Sequence, residues 1–299
     1  MSVETFVATC VVDARAIAGE SPVWSPSEGV LYWVDIWGRR LHRYDPSRRQ
    51  DVAHAMPDVI SFAAPHAEGG LIVCLRETVW HVDLAASTFR LVAELPLPFG
   101  ARLNDATIDA RGRLWVGSMA SAPDRDDGQL WCLDVDGIAT PIVDRLRVPN
   151  GLAFSPDERT LYLSDSHPAV RTIWAFDVDA AHGELRERHT FRDTADLPGR
   201  PDGGAVDAVG RYWMAAVDGG VVLALAPNGE IECVVELPTE KPSKAAFGGG
   251  DLTTLYVTSL RRNLTRPLEQ QPQAGGLFAC DVGIHGLATP LCRVPIASR

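Results

Sequence analysis

Residues 155–165 read SPDERTLYLSD, a cluster of turn-forming residues followed directly by an apolar run with a central tyrosine. Pro, Asp and Ser favour turns, whereas Leu and Tyr favour strands, so this stretch predicts the turn and second strand of a β-hairpin. The same arrangement recurs along the chain. The further copies are SPSEGVLYWVD (25–35), DARGRLWVGS (109–118), DAVGRYWMAA (207–216), GGDLTTLYVTS (249–259) and a weaker HAEGGLIVCL (66–75).

The copies are spaced like the blades of a propeller. Aligned on one residue each, they are separated by 40, 43, 47, 51 and 43 residues. A period in the forties with a hairpin in every copy is typical of a blade of about four strands. We therefore predict an all-β, six-bladed β-propeller formed by one domain, residues 1–299, with residues 5–12 pairing with the last blade to close the ring. The aligned residues are Tyr32, Ile72, Trp115, Tyr162, Trp213 and Tyr256.

Composition and charge narrow the class of protein. The net charge is −11 with the acidic residues dispersed, which argues against nucleic acid or a membrane surface as a partner. The sequence has no signal-peptide pattern and no apolar run long enough to span a bilayer, which predicts a cytoplasmic location. The six cysteines stand singly, with no C-x-x-C pair, so free buried thiols are expected. We expect a monomer.

The repeat also aligns a set of polar residues. Counting back 11 or 12 residues from each aligned position crosses the turn and reaches the start of the preceding, innermost strand. Equivalent positions of successive blades share a radius and a height, so side chains there should converge on the central channel. The simpler alternative is that the ends of inner strands are polar because they are wet. The six residues are Glu20, Ser61, Asn104, Asn150, Asp202 and Lys244.

Three of these residues are suited to holding a metal ion. Glu20, Asn150 and Asp202 offer two carboxylates and one amide oxygen. Hard oxygen ligands favour Ca²⁺, Mg²⁺ or Mn²⁺, with Fe²⁺ or Zn²⁺ also possible. A cation would offset two negative charges in a narrow channel, and three protein ligands would leave positions for water and substrate. We therefore predict one divalent ion in the central channel.

The segment RLND supplies further candidates. Arg102 and Asn104 are two residues apart and so share a strand face, which makes them candidates for contacting substrate. Asp105 points to the opposite face of the strand, so we expect it to support the site residues rather than to contact substrate. The alternatives are a surface ion pair for Arg102 and a turn aspartate for Asp105. The sequence contains no G-x-S-x-G, Walker or H-E-x-x-H motif.

Five ordered motifs extend over nearly the whole chain. They are GESPVW (19–24), RLNDATIDARGRLWVGSM (102–119), VPNGLAFSPDERTLYLSDS (148–166), RPDGGAVDAVGRYW (200–213) and FGGGDLTTLYVTS (247–259). Together they resemble the gluconolactonase/regucalcin (senescence marker protein) family, and especially its bacterial sugar lactonases, such as xylonolactonase or arabinonolactonase. The resemblance implies a six-bladed propeller with a divalent ion in its channel.

The resemblance also implies roles for individual residues. By motif, Glu20, Asn150 and Asp202 would be the metal ligands. Arg102 and Asn104 would contact substrate, and Lys244 in SKAAFGG is similar to a lysine of pentonolactonase-type members. This chain departs from the family pattern in reading Glu-Ser-Pro for Glu-Gly-Pro and Asn-Asp-Ala for Asn-Asp-Gly. Animal members of the family have a substrate-contacting glutamate after the GTM strand, where this chain reads GSMASAPDR (117–125) with Ala122 near that place, so sugar preference cannot be transferred from them.

The resemblance implies a carboxylic ester hydrolase that opens a small-molecule sugar lactone, a pentono- or hexonolactone, to the aldonic acid. The ion would polarise the carbonyl. Asp202 would be the catalytic residue, either taking the proton from water itself or orienting a hydroxide bound to the ion. Two alternatives stay open: a metal-dependent hydrolase of aryl esters or organophosphates, and a non-catalytic calcium-binding propeller.

Overall fold

Each turn-plus-aromatic unit forms the predicted hairpin. In the computed structural model, which describes residues 3–296, strand Pro149–Phe154 pairs antiparallel with Thr160–Asp165, and Tyr162 lies opposite Ala153. The turn between them carries Pro156 and Asp157, and Ser155 Oγ bonds the Asp157 carboxylate. Residues 1, 2 and 297–299 of the predicted domain lie outside the described part.

Six sheets follow one another along the chain, each built on four antiparallel strands and one of them extended to five strands, and we call them blades 1 to 6. Two short strands precede them: β1 (Glu4–Val7) and β2 (Thr9–Val12). The first three blades are β3 (Gly19–Ser25), β4 (Val30–Asp35), β5 (Arg40–Asp45) and β6 (Gln50–Ala55); β7 (Ile60–Pro65), β8 (Leu71–Leu75), β9 (Thr78–Asp83) and β10 (Thr88–Glu94); and β11 (Arg102–Ile108), β12 (Leu114–Met119), β13 (Gly128–Leu133) and β14 (Ala139–Leu146).

The last three blades repeat this order, and the described residues contain one helical element, a three-residue 3-10 helix at Leu268–Gln270. Their strands are β15 (Pro149–Phe154), β16 (Thr160–Asp165), β17 (Thr172–Asp179) and β18 (Glu184–Asp193); β19 (Arg200–Val206), β20 (Tyr212–Val217), β21 (Val221–Leu225) and β22 (Ile231–Glu236); and β23 (Pro242–Gly248), β24 (Thr254–Ser259) and β25 (Leu277–Asp281).

The ring closes through the N-terminal segment. β2 pairs antiparallel with β25 and supplies the outer strand of blade 6, so the prediction for residues 5–12 is confirmed for residues 9–12. It is wrong for residues 5–7, because β1 instead adds a fifth, parallel strand to β22 of blade 5. Each innermost strand contacts the innermost strand of the next blade, and β23 returns to β3. The six-bladed propeller is therefore confirmed.

Apolar clusters between neighbouring blades form the core. One cluster joins blades 2 and 3 through Phe62, Ile72, Leu103 and Val116, all of them buried. The two DAxGRxW turns are built alike, because in each the aspartate accepts hydrogen bonds from the arginine and from the tryptophan indole. This network fixes the end of an inner strand against the next strand, so polar and apolar packing hold the blade together. The aspartates are Asp109 and Asp207.

The cysteines form no disulfide, as expected. All six are free, and four of them are buried. Burial raises the pKa of the Cys132 and Cys292 thiols to about 12, so both are protonated and unreactive at neutral pH. Within residues 3–296, no helix has the length and apolar character that crossing a membrane would need.

Candidate functional site

The six polar positions selected by the repeat lie near the starts of the six inner strands. All six side chains are buried, and each belongs to the second or third residue of its inner strand. Since the inner strands form a closed ring, these starts meet at one end of it. The structure therefore brings together the set that the sequence selected: Glu20, Ser61, Asn104, Asn150, Asp202 and Lys244.

A β-bulge occurs at this level in every inner strand. The pairing of each inner strand with its neighbour shifts register beside the polar residue, as between Glu20 and Val23 or between Asn150 and Ala153. A bulge interrupts the ladder, bends the strand and changes the direction of a side chain. The strands thus stop pairing where their side chains turn into the channel. In blade 1 the bulge includes Ser21, whose φ is 46°.

Glu20, Asn150 and Asp202 form the acidic part of the site. The Asn150 amide nitrogen donates to Asp202 Oδ1 and, over 3.1 Å, to Ser166 Oγ. Burial raises the pKa of Glu20 well above its ordinary value, and the charges of Asp202 and Asp105 raise it further. Burial also raises the pKa of Asp202 to about 7, against the opposing effect of Arg200. Two carboxylates are thus buried close together at a real electrostatic cost.

The residues fit a divalent cation. Among residues 3–296, the Asn150 Oδ1 atom is buried without a hydrogen-bond partner, which leaves an acceptor beside two carboxylates. A cation would satisfy that oxygen and remove the repulsion between Glu20 and Asp202. The described residues hold no cluster of three or more His, Cys, Asp and Glu side chains arranged for a metal. The candidate site therefore depends on the amide oxygen as its third ligand.

Arg102 and Asn104 lie together, as their shared strand face predicted. Arg102 Nη1 donates to Asn104 Oδ1 over 2.9 Å and to the Leu103 carbonyl over 2.8 Å. Asn104 Nδ2 donates to the Pro149 carbonyl over 3.1 Å. The amide of Asn104 is therefore fixed at both ends. Burial lowers the pKa of Arg102 to about 10; Glu20 opposes this effect, and Arg262 and Arg76 add to it.

Asp105 turns away from Asn104 and binds Lys244. Its Oδ2 accepts the Leu152 amide over 2.9 Å, and its Oδ1 accepts the Ala106 amide and the Lys244 ammonium. Lys244 Nζ also donates to the Ala106 carbonyl over 3.2 Å. A substrate contact through this ammonium would require the pair to open. The predicted substrate-binding role of Lys244 has no direct test and stays a prediction.

Sequence reasoning missed a supporting network around Asp202. Ser166 Oγ lies 3.3 Å from Asp202 Oδ1, and the Ser166 carbonyl accepts Arg200 Nη1 over 2.7 Å. Arg200 also forms an ion pair with Asp218. The sequence pattern could have identified Arg200, because it precedes Asp202 by two residues, just as Arg102 precedes Asn104. Ser166 follows the end of β16 and carried no such signal.

Comparisons with known proteins give a consistent result. The model of a family described as the SMP-30/Gluconolactonase/LRE-like region matches residues 18–261. The chain is 40% identical over 287 residues to 6-deoxy-6-sulfogluconolactonase of Pseudomonas putida, covering 94% of this chain and 97% of that protein. It is 34% identical over 285 residues to Pentonolactonase XacC of Haloferax volcanii, covering 93% and 95%.

A solved structure agrees with these relatives. The crystal structure of a calcium-binding protein, regucalcin, from Agrobacterium tumefaciens superposes with a TM-score of 0.91 at 28% identity. The match covers 98% of this chain and 99% of that one. The similarity thus extends over the whole propeller rather than over single blades.

Proposed function

The chain belongs to the SMP-30/Gluconolactonase/LRE-like family, and on this basis we propose that it hydrolyses a sugar lactone with the help of one divalent metal ion. The observation that carries the proposal is the buried group of Glu20, Asn150 and Asp202, in which an amide oxygen lacks a partner beside two carboxylates. The relatives are named for lactones of a six-carbon and of five-carbon sugars. A hexono- or pentonolactone is therefore the proposed substrate class.

Glu20, Asn150 and Asp202 would hold the ion. Their oxygen atoms accept Ca²⁺, Mg²⁺ or Mn²⁺, and the carboxylates also accept Fe²⁺ or Zn²⁺. A divalent ion bound there would polarise the lactone carbonyl and stabilise negative charge on its oxygen. The similarity to a calcium-binding protein supports a divalent ion without selecting among these metals.

Asp202 is the proposed proton-transfer residue. Its Oδ1 is held by Asn150 and Ser166, while within residues 3–296 its Oδ2 has no hydrogen-bond donor. At Oδ2 the carboxylate would accept a proton from the attacking water as the new carbon–oxygen bond forms. The proton then passes to the ring oxygen as the ester bond breaks, which completes the hydrolysis.

Arg102 and Asn104 would orient the sugar. Arg102 uses Nη1 for Asn104 and Leu103, and within residues 3–296 its Nε and Nη2 have no acceptor, so they can donate to oxygen atoms of the substrate. The two hydrogen bonds of Asn104 hold both residues in place before substrate arrives. A fixed orientation of this kind lowers the barrier, because less freedom is lost on reaching the transition state. Asp105, bound to Lys244, supports these residues from behind.

The test is hydrolysis of pentono- and hexonolactones in metal-defined buffer with Ca²⁺, Mg²⁺, Mn²⁺, Zn²⁺ or Fe²⁺, the last without oxygen. We expect Glu20→Gln and Asp202→Asn to lower kcat/KM at least about 100-fold, because each loses a ligand charge. Both variants should also bind the ion more weakly by calorimetry while keeping a native β circular dichroism spectrum. The matched control, Asp136→Asn in an exposed turn, should act like the wild type.

Two results would contradict the proposal. One is wild-type turnover by Asp202→Asn in metal-defined buffer. The other is tight metal binding by the wild type without turnover of any lactone, which would favour the non-catalytic calcium-binding alternative.

A further inference from the structure

Two guanidinium groups flank an exposed tryptophan at the mouth of the channel. Trp37 lies in the turn between β4 and β5, and 41% of its surface is exposed. The Arg102 guanidinium carbon lies 5.4 Å from the centre of this ring, and that of Arg262, in the long connection between β24 and β25, lies 5.1 Å from it. Three blades thus contribute to one arginine–tryptophan–arginine cluster, defined by Arg102, Trp37 and Arg262.

Neither arginine of the cluster forms a close ion pair within the described part of the chain. Within residues 3–296, no carboxylate oxygen lies within 4.0 Å of a side-chain nitrogen of Arg102 or Arg262. Arg76, the third arginine near Arg102, differs in this respect. Its Nε and Nη2 each donate to one carboxylate oxygen of Asp58 over 2.7 Å. Among the described residues, the side-chain donors of the cluster that have no acceptor are therefore Arg102 Nε and Nη2 and all those of the Arg262 guanidinium.

This arrangement has a cost that a bound anion would offset. Burial lowers the pKa of Arg102; the charge of Glu20 opposes this effect, and the positive charges of Arg262 and Arg76 add to it. Like charges held together destabilise each other, and the effect is strongest where water is excluded. The chain as a whole carries a net charge of −11. Two arginines without a close carboxylate partner at the channel mouth therefore stand out against the negative charge of the rest of the protein. An anionic group placed between the arginines would relieve their repulsion.

We propose that Arg102, Trp37 and Arg262 form a subsite for a tetrahedral oxyanion, a sulfonate or a phosphate, carried by the sugar lactone. The inference rests on the proposed function. Planar guanidinium forks match the spacing of oxygens on such groups, and stacking on an indole holds the forks in place. Arg102 is the link to the reaction centre, since the same side chain binds Asn104 and interacts with the charge of Glu20. The oxyanion would bind at the mouth while the lactone carbonyl lies deeper, at Glu20, Asn150 and Asp202.

The test compares gluconolactone with its 6-sulfonate and its 6-phosphate, using the metal-loaded enzyme. We expect the wild type to favour at least one anionic lactone over the neutral one by about 10- to 100-fold in kcat/KM, the effect of one charged hydrogen-bonded contact. Arg262→Gln should lower that ratio by a similar factor. Comparison of kcat/KM for the 6-sulfonate and the 6-phosphate identifies which oxyanion the subsite accepts.

Arg261→Gln is the matched control. It removes the same charge from the neighbouring position of the same connection, and its residue has no part in the cluster. The ratio should stay within about twofold of the wild type in this variant. An equal fall in Arg261→Gln and Arg262→Gln would overturn the inference, because a general field effect would then explain the preference.

The inference and the proposed function can fail separately. Suppose that the wild type hydrolyses neutral and anionic lactones equally well and that Arg262→Gln leaves the ratio unchanged. The inferred oxyanion subsite is then wrong, while the proposed lactonase function is still supported. If no lactone is hydrolysed, the proposed function is wrong. Calorimetric binding of 6-sulfogluconate, the open-chain acid, then decides the subsite alone: about tenfold weaker binding to Arg262→Gln supports it, and equal binding overturns it.

Discussion

The ion pair between Lys244 and Asp105 joins opposite sides of the ring. Lys244 belongs to blade 6 and Asp105 to blade 3, and both side chains are buried. Lys244 also lines a cavity of about 280 Å³ further along the channel, which Glu20, Asn150 and Asp202 do not line. The pair therefore lies between the candidate site and that cavity. It holds two opposite inner strands at a fixed separation.

Breaking this pair from one side should be costly. We expect Lys244→Met to lower the free energy of unfolding by about 3–5 kcal/mol, because the Asp105 charge would stay buried without its partner. Lys244→Met combined with Asp105→Asn should recover a large part of the loss, since no unpaired charge is left. Urea denaturation of the metal-free proteins measures both. A cost under about 1 kcal/mol for the single variant, or none recovered in the double, would show that the pair does not support the channel.

At the scale of the strand, the site depends on β-bulges and on the close contact of one glycine with its neighbours. Gly151 directly follows Asn150 in the bulge of β15 and has a φ of 62°. The Tyr212 hydroxyl donates to the Gly151 carbonyl over 2.8 Å. A methyl group at this glycine would lie 2.8 Å from Ser164 Oγ and 2.9 Å from the Asp202 carbonyl. The strand can therefore turn Asn150 into the channel only with glycine next to it.

Gly151→Ala should be more damaging than the same change where space is open. Gly29 has a similar φ of 64° and no atom within 4 Å of the added carbon, so Gly29→Ala should cost only the backbone strain of about 1–2 kcal/mol. Gly151→Ala adds overpacking, for a further 1–3 kcal/mol or so, and should also weaken metal binding by displacing Asn150. Denaturation curves and calorimetry of the two variants check this. An equal loss of unfolding free energy in the two variants would mean that the residues around Gly151 move to accommodate the added methyl group.

At the scale of the molecule, the propeller closes by a strand from the opposite end of the described chain. β2 completes blade 6, and its residues Val11 and Val12 pack against a cluster that includes Trp24 and Tyr256. β1 adds a mostly exposed strand to the outer edge of blade 5. Closure therefore rests on β2, and β1 extends an edge that already has four strands.

Two truncations separate these roles. Removal of residues 1–13 should lower Tm by about 10 °C or more, because blade 6 loses its outer strand and exposes the edge of β25. Removal of residues 1–7 alone should lower Tm by less than half as much. Thermal unfolding followed by circular dichroism tests the pair. Similar losses in both truncations would place the stabilising contacts in β1 instead.

The sequence by itself determined the number of blades and the level of the site. A hairpin repeated at intervals in the forties is a local pattern, and equivalent positions of a ring share one height, so counting back from Tyr162 or Trp213 reached Asn150 and Asp202. The shared face of Arg102 and Asn104 followed from strand geometry in the same way. These features depend on local periodicity, which a single sequence displays.

Only the tertiary structure decided which side chains meet. Lys244 reaches Asp105 across the channel, and Arg262 meets Arg102 at Trp37. Such contacts join segments far apart in the chain, and they depend on bulges and on the path of a long connection that has no strand period. Strand periodicity fixes the height of a residue in the ring. The direction of its side chain, and hence its partner, is set by packing between blades that a local pattern does not contain.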